Sequence, residues 1–102
     1  MRAWVKALTQ EQVAETSMRY VEIGGRRLLV GLASGRAFAC EDRCPHAGAP
    51  LSQGDLKGSE IQCGRHGWVF DVLTGHSVPG PTAFRLKQLR TEVRDGAIWI
   101  EV

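Results

Sequence analysis

Two short segments, Cys44-Pro45-His46 and Cys63-Gly64-Arg65-His66, each pair a thiol with an imidazole, and sixteen residues separate them. Together they use two of the three cysteines and two of the three histidines. One Cys–His neighbour pair is uninformative. Two such pairs in one short chain can enclose a centre from opposite sides, each loop giving one soft and one borderline ligand. The stretch that carries them, residues 41–83, holds seven of the 12 Gly, all 4 Pro and all 3 His. Turn residues at that density, with only short strands between them, read as a loop-rich subdomain inserted into a scaffold.

The flanks of this block supply the scaffold. Their apolar residues recur with a period of two and are cut by turn pairs, which predicts an all-β fold of short antiparallel strands. Residues 17–23 and 26–33 flank Gly24-Gly25, and residues 36–40 follow Ser34-Gly35. Leu89, Thr91 and Val93 alternate with Arg90, Glu92 and Arg94 before Asp95-Gly96 turns the chain into residues 97–102. Ile98, Ile100 and Val102 share one face of that last strand. Phe38, Phe84 and Trp99 are expected in the core, because large aromatics supply core area. Only the segment from Thr9 to Thr16 looks helical, with Thr9 as its N-cap.

At 102 residues the chain is a single domain, 1–102. No apolar run approaches the ~18 residues of a membrane helix; even Leu28–Ala33 is a strand's length. The first dozen residues lack the apolar segment and cleavage site of a secretory signal, so a soluble cytoplasmic monomer with no membrane contact is expected. Thirteen basic residues against 11 acidic ones, with no run of like charges, give no nucleic-acid footprint. Three cysteines cannot all pair internally, and in a reducing compartment Cys near His reads as a metal ligand. No phosphate loop, G-x-S-x-G or nicotinamide fingerprint is present, so the chain is not an enzyme by itself.

Two thiolates and two imidazoles suit two kinds of centre. A tetrahedral zinc accepts the set, but structural zinc sites usually keep the cysteines in one close pair and the histidines in another. Here each close pair is mixed, which fits better a [2Fe–2S] cluster with two cysteines on one iron and two histidines on the other. The segments CPHAGAPL at 44–51 and CGRHGWVFDVLTG at 63–75 resemble the two cluster loops of Rieske iron–sulfur proteins, specifically the small ferredoxins of bacterial aromatic-ring oxygenase systems. The resemblance extends to the strand-rich flanks, the turn from Phe70-Asp71 to Thr74-Gly75, and Pro79-Gly80-Pro81.

It implies a Rieske fold, an antiparallel base with an inserted cluster-binding subdomain, and one [2Fe–2S] cluster per chain. Cys44 and Cys63 would hold one iron, His46 and His66 the other. Respiratory Rieske proteins carry an extra cysteine in each loop, where this chain has Ala49 and Arg65, so no disulfide would cross the cluster. They also place Ser and Tyr as donors to the sulfurs, where this chain has Trp68 and Phe70. Fewer donors leave the reduced cluster less stabilised, which puts the potential toward the low end of the roughly −150 to +300 mV Rieske range.

The implied role is one-electron transfer from an NAD(P)H-dependent flavoprotein reductase to a terminal oxygenase, either an aromatic-ring dioxygenase or a multicomponent monooxygenase. The chain is not itself such an oxygenase: with His46 and His66 assigned, only His76 remains, too few for a mononuclear iron held by two histidines and a carboxylate. Two alternatives are a small Rieske subunit of an NAD(P)H nitrite reductase and a zinc-binding interaction module. Among the remaining residues, Cys40 reads as a buried strand-end thiol and His76 as a turn histidine. Gly48, Gly64 and Gly67 read as permitting tight loops, and Pro79 and Pro81 as a stiff edge. Trp68 is expected to pack beneath a loop, and Arg65 either is solvated or pairs with an acidic partner surface.

Overall fold

The computed structural model describes residues 3–15, 18–46, 48–64, 67–80 and 82–102. All three turn pairs fold as their chemistry requires. Gly24-Gly25, Ser34-Gly35 and Asp95-Gly96 take positive φ at both positions (59° and 79°, 51° and 78°, 52° and 77°). This is the tight hairpin turn whose twist matches that of its strands. The turns join β2 (Met18–Ile23) to β3 (Arg26–Ala33), β3 to β4 (Arg36–Glu41), and β9 (Thr91–Arg94) to β10 (Ala97–Glu101). Leu89 and Arg90 precede β9 instead of opening it.

Of the strands in the flanks, one was not legible in the sequence. β1 (Trp4–Leu8) pairs antiparallel with β10, Val5 opposite Ile100, and its register shifts between Lys6 and Leu8. That irregularity goes with an apolar pattern, Trp4-Val5-Lys6-Ala7-Leu8, that never alternates cleanly. The helix α1 (Gln10–Glu15) follows, and Thr9 caps it. The Thr9 hydroxyl accepts from the Gln12 amide (3.2 Å) while the Thr9 amide donates to the Gln12 side chain (2.9 Å), the reciprocal pair of a capping box.

Three antiparallel sheets result: β1-β10-β9, β2-β3-β4, and a third built from β5 (Asp55–Lys57), β6 (Glu60–Gln62), β7 (Val69–Asp71) and β8 (Ser77–Val78). The sheet β2-β3-β4 lies between two cores. From β3, Leu28 and Val30 join Leu8, Ala39, Ile98 and Ile100 on one side. Leu29 and Ala33 join Phe38, Leu51, Ile61, Phe70, Val72 and Leu86 on the other. Burial on both faces explains why β3 reads as a nearly continuous apolar run. Each fully buried Leu or Ile contributes roughly 1.5–3 kcal/mol.

Two of the three aromatics expected in the core are elsewhere. Phe38 is buried, but Phe84 is 38% exposed. Trp99 is half-buried on the face of β10 opposite Ile98 and Ile100, with the Arg94 guanidinium 4.9 Å and the Lys6 ammonium 5.6 Å from its ring. Strand alternation fixed that outcome: once Ile98 and Ile100 face the core, Trp99 cannot.

Candidate metal centre

β4 runs into the first cysteine loop and β6 into the second. The two loops close in the same way. In the first, the Cys44 amide donates to the Ala49 carbonyl (2.7 Å) and the Gly48 amide to the Cys44 carbonyl (2.7 Å). In the second, the Cys63 amide donates to the Trp68 carbonyl (2.7 Å) and the Gly67 amide to the Cys63 carbonyl (3.2 Å). Cysteine stands first and glycine fifth in each. Gly48 and Gly67 have φ of 74° and 72°, a region that costs any residue with a Cβ about 1–2 kcal/mol. Gly64 also lies in the turn, but without a left-handed φ.

Cys44 and Cys63 are fully buried and pack in the same core as Leu51, Ile61, Phe70 and Val72. No disulfide involves them or Cys40. His46, two residues beyond Cys44, is exposed at the surface. Its ring stacks on Trp68 (centroids 4.4 Å apart, planes 18°) and meets the edge of Phe84 at 5.3 Å. Trp68 packs against the core as expected, stacking on Phe70 (6.1 Å) and meeting the edge of Phe84 (5.4 Å) as well as stacking on this imidazole. His66 and Arg65 lie outside the described residues, as does Pro81. Among the described residues, no three His, Cys, Asp or Glu gather closely enough to hold a metal ion.

Residues 3–90 match the Rieske [2Fe-2S] domain. The chain belongs to the Rieske [2Fe-2S] family. It is 27% identical over 99 residues to the ferredoxin component of the naphthalene 1,2-dioxygenase system of Pseudomonas putida, covering 97% of this chain and 95% of that one. The ferredoxin in the complex of reduced oxygenase and oxidized ferredoxin in carbazole 1,9a-dioxygenase superposes with a TM-score of 0.81 at 32% identity, covering 95% and 91%. A third relative, 4beta-methylsterol monooxygenase of Methylococcus capsulatus, is 54% identical over 77 residues, which span 67% of this chain and 21% of that protein.

The Rieske cofactor is a [2Fe–2S] cluster, and the donors here fit it. Two buried thiols at the heads of matching loops, with an imidazole displayed near them, are the soft and borderline donors that a [2Fe–2S] cluster would take. The third thiol, Cys40, is a bystander at the end of β4. Burial, reinforced by Asp42 and Glu41, pushes it up to about 12, which keeps it protonated and inert.

Sequence reasoning missed the residues that brace the Rieske loops. The Asp42 carboxylate accepts from both the Ser52 amide (2.7 Å) and the Ser52 hydroxyl (2.6 Å). This ties the approach to Cys44 to the short helix Leu51–Gln53. On the other side the buried Ser77 hydroxyl donates to the Gly80 carbonyl (2.8 Å) and lies 3.0 Å from the Thr82 hydroxyl, which accepts from the Phe84 amide (3.1 Å). Through that chain a strand residue holds the ring that touches His46. Pro79 and Gly80 edge a cleft of about 380 Å³ beside Trp68. His76 follows the turn and forms an antiparallel bridge with Arg85, its carbonyl accepting from the Asp71 amide (2.9 Å) and its buried Nδ1 without a hydrogen-bond partner. An acidic residue two before a cysteine and a hydroxyl after β7 are commonplace in any sequence, so only the fold reveals these braces.

Proposed function

We propose that this protein is a one-electron carrier whose [2Fe–2S] cluster is held by Cys44 and Cys63 on one iron and by His46 and His66 on the other. The observation that carries the ligand set is the pair of matching loops, each headed by a buried cysteine and closed by a left-handed glycine. Residues 41–83 act as the cluster-binding part of the single domain. When bound, the cluster supplies one reversible one-electron couple. Cys44 and Cys63 anchor it in an apolar core that excludes water, and His46 stays at the surface with its ring oriented by Trp68 and Phe84. Phe70 offers the centre no hydroxyl, which keeps the potential low.

The carrier accepts electrons from an NAD(P)H-dependent flavoprotein reductase and gives them to a terminal oxygenase. Support comes from the relatives, which are ferredoxin components of dioxygenase systems over nearly their whole length. A second reading, in which the oxygenase is a monooxygenase, is favoured by the 54% identity to part of a methylsterol monooxygenase. A cytoplasmic monomer agrees with three thiols outside any disulfide and with exposed large apolar residues, Tyr20, Phe84 and Val93, on separate elements. No helix among the described residues is long and apolar enough to cross a membrane.

Iron analysis with electron paramagnetic resonance of the reduced protein tests the ligand set. The native protein should show two irons and a signal of lowered average g, while Cys44→Ser and His66→Ala should lose both. A variant that kept the native spectrum would remove that residue from the set.

A further inference from the structure

The end of the molecule that displays His46 has a charge pattern the carrier role does not require. The described residues of 43–50, 63–70 and 79–87 build it, and they carry Arg43, Arg85 and Lys87 and no Asp or Glu. The nearest carboxylates in sequence are committed elsewhere. Asp42 is buried on Ser52, Glu41 faces Arg26 at 3.4 Å, and Asp71 accepts from the Leu73 amide (2.8 Å) and the Ser59 hydroxyl (3.3 Å). Arg43 lies across the first loop, with its Nε and Nη2 3.8 and 3.9 Å from where a Gly48 Cβ would be. Arg85 directly follows Phe84, and its Nη2 donates to the Thr74 carbonyl (3.4 Å). Among the described residues neither guanidinium has a carboxylate partner. The remaining carboxylates, such as Glu92, Asp95 and Glu101, sit on other elements, and the chain as a whole is only +2. The positive charge is therefore local.

We propose that this end docks on a redox partner whose contact face is acidic, with His46, Trp68 and Phe84 at the centre and Arg43 and Arg85 beside them. The inference rests on the carrier reading and adds the chemistry of the partner. Phe84, 38% exposed on Thr82, and the stacked Trp68 give an apolar patch at which water can be expelled. Unpaired guanidiniums next to such a patch accelerate encounter with carboxylates and suppress approach of another basic protein.

The test uses the loaded, reduced protein and two acceptors of opposite surface charge, an acidic plastocyanin and a basic cytochrome c, followed by stopped flow. One electron leaves the cluster and reduces Cu(II) to Cu(I) or haem Fe(III) to Fe(II), with no bond made or broken. The sign of the salt dependence is the readout, because intrinsic reactivity differs between the acceptors. Plastocyanin reduction should slow about tenfold as salt rises from low to moderate concentration, and cytochrome c reduction should quicken. Arg43→Glu/Arg85→Glu should reverse both slopes with an unchanged paramagnetic spectrum. Arg19→Glu/Arg36→Glu, the same charge change at the opposite ends of β2 and β4, should leave their signs alone. Slopes that are flat, that favour cytochrome c, or that respond equally to both double variants would overturn the docking proposal while leaving a working carrier. Sedimentation with phosphatidylserine vesicles, without preference between the acceptors, would assign the basic end to a membrane surface and overturn it too. A cluster that cannot be reduced at all would instead remove the carrier reading.

Discussion

Cys40 and Cys44 stand four residues apart and are both fully buried, yet their chemistry differs because of where the backbone turns. Cys40 ends a strand; Cys44 heads a loop. The Cys40 thiol is raised from 9.0 to about 12 by burial and then by the Asp42 and Glu41 carboxylates. The folded protein thus binds this proton more tightly than the unfolded chain does. The stability it contributes is fully present below pH 9 and is lost as pH climbs from there toward about 12. The expected slope in that window is roughly 1.4 kcal/mol per pH unit. Cys40→Ala should flatten it: urea midpoints for the variant should fall less steeply above pH 9 than those of the native protein, and parallel curves would show that the thiol ionises in place. Gly54 makes the companion case for backbone. A Cβ there would overlap the Gln62 carbonyl oxygen of β6, whereas one on Gly24 meets nothing within 4 Å. Gly54→Ala should cost about 3 kcal/mol or more, and Gly24→Ala only the 1–2 kcal/mol of its positive φ. Thermal unfolding of the pair would separate close approach from conformational strain.

The elements divide by how local their causes are. The three hairpins were legible because Gly24-Gly25, Ser34-Gly35 and Asp95-Gly96 carry their own turn chemistry. The helix was legible because Thr9 and Gln12 cap it through bonds spanning only three residues. Thr9→Ala should cost about 1 kcal/mol, read as a matching drop in the urea midpoint, with Thr9→Ser restoring it. The two cysteine loops were legible as matching Cys–His spacing, and the structure closes both in the same way. β1 was not, because a strand completed by pairing ninety residues away and broken by a register shift has no local mark. Phe84 was misjudged for a related reason. Its exposure follows from the hold of Ser77 and Thr82 on its backbone and from the histidine ring it touches, neither of which its sequence neighbours announce.

Across the whole molecule the two cores have separate duties. One, from Leu8, Leu28, Val30, Ala39, Ile98 and Ile100, contains no ligand. The other includes Cys44 and Cys63 among its members and is completed by few residues larger than Leu. Removing iron should therefore loosen one half and spare the other. In hydrogen exchange of chelated protein, amides of β1, β3 and β10 should keep their protection, while those of β5 to β8 lose it. Uniform loss would mean a single cooperative unit. Because both cores share β3, a chain still waiting for its inorganic parts already has its base assembled. If exchange shows this pattern, loading the cluster is a step separate from folding the base.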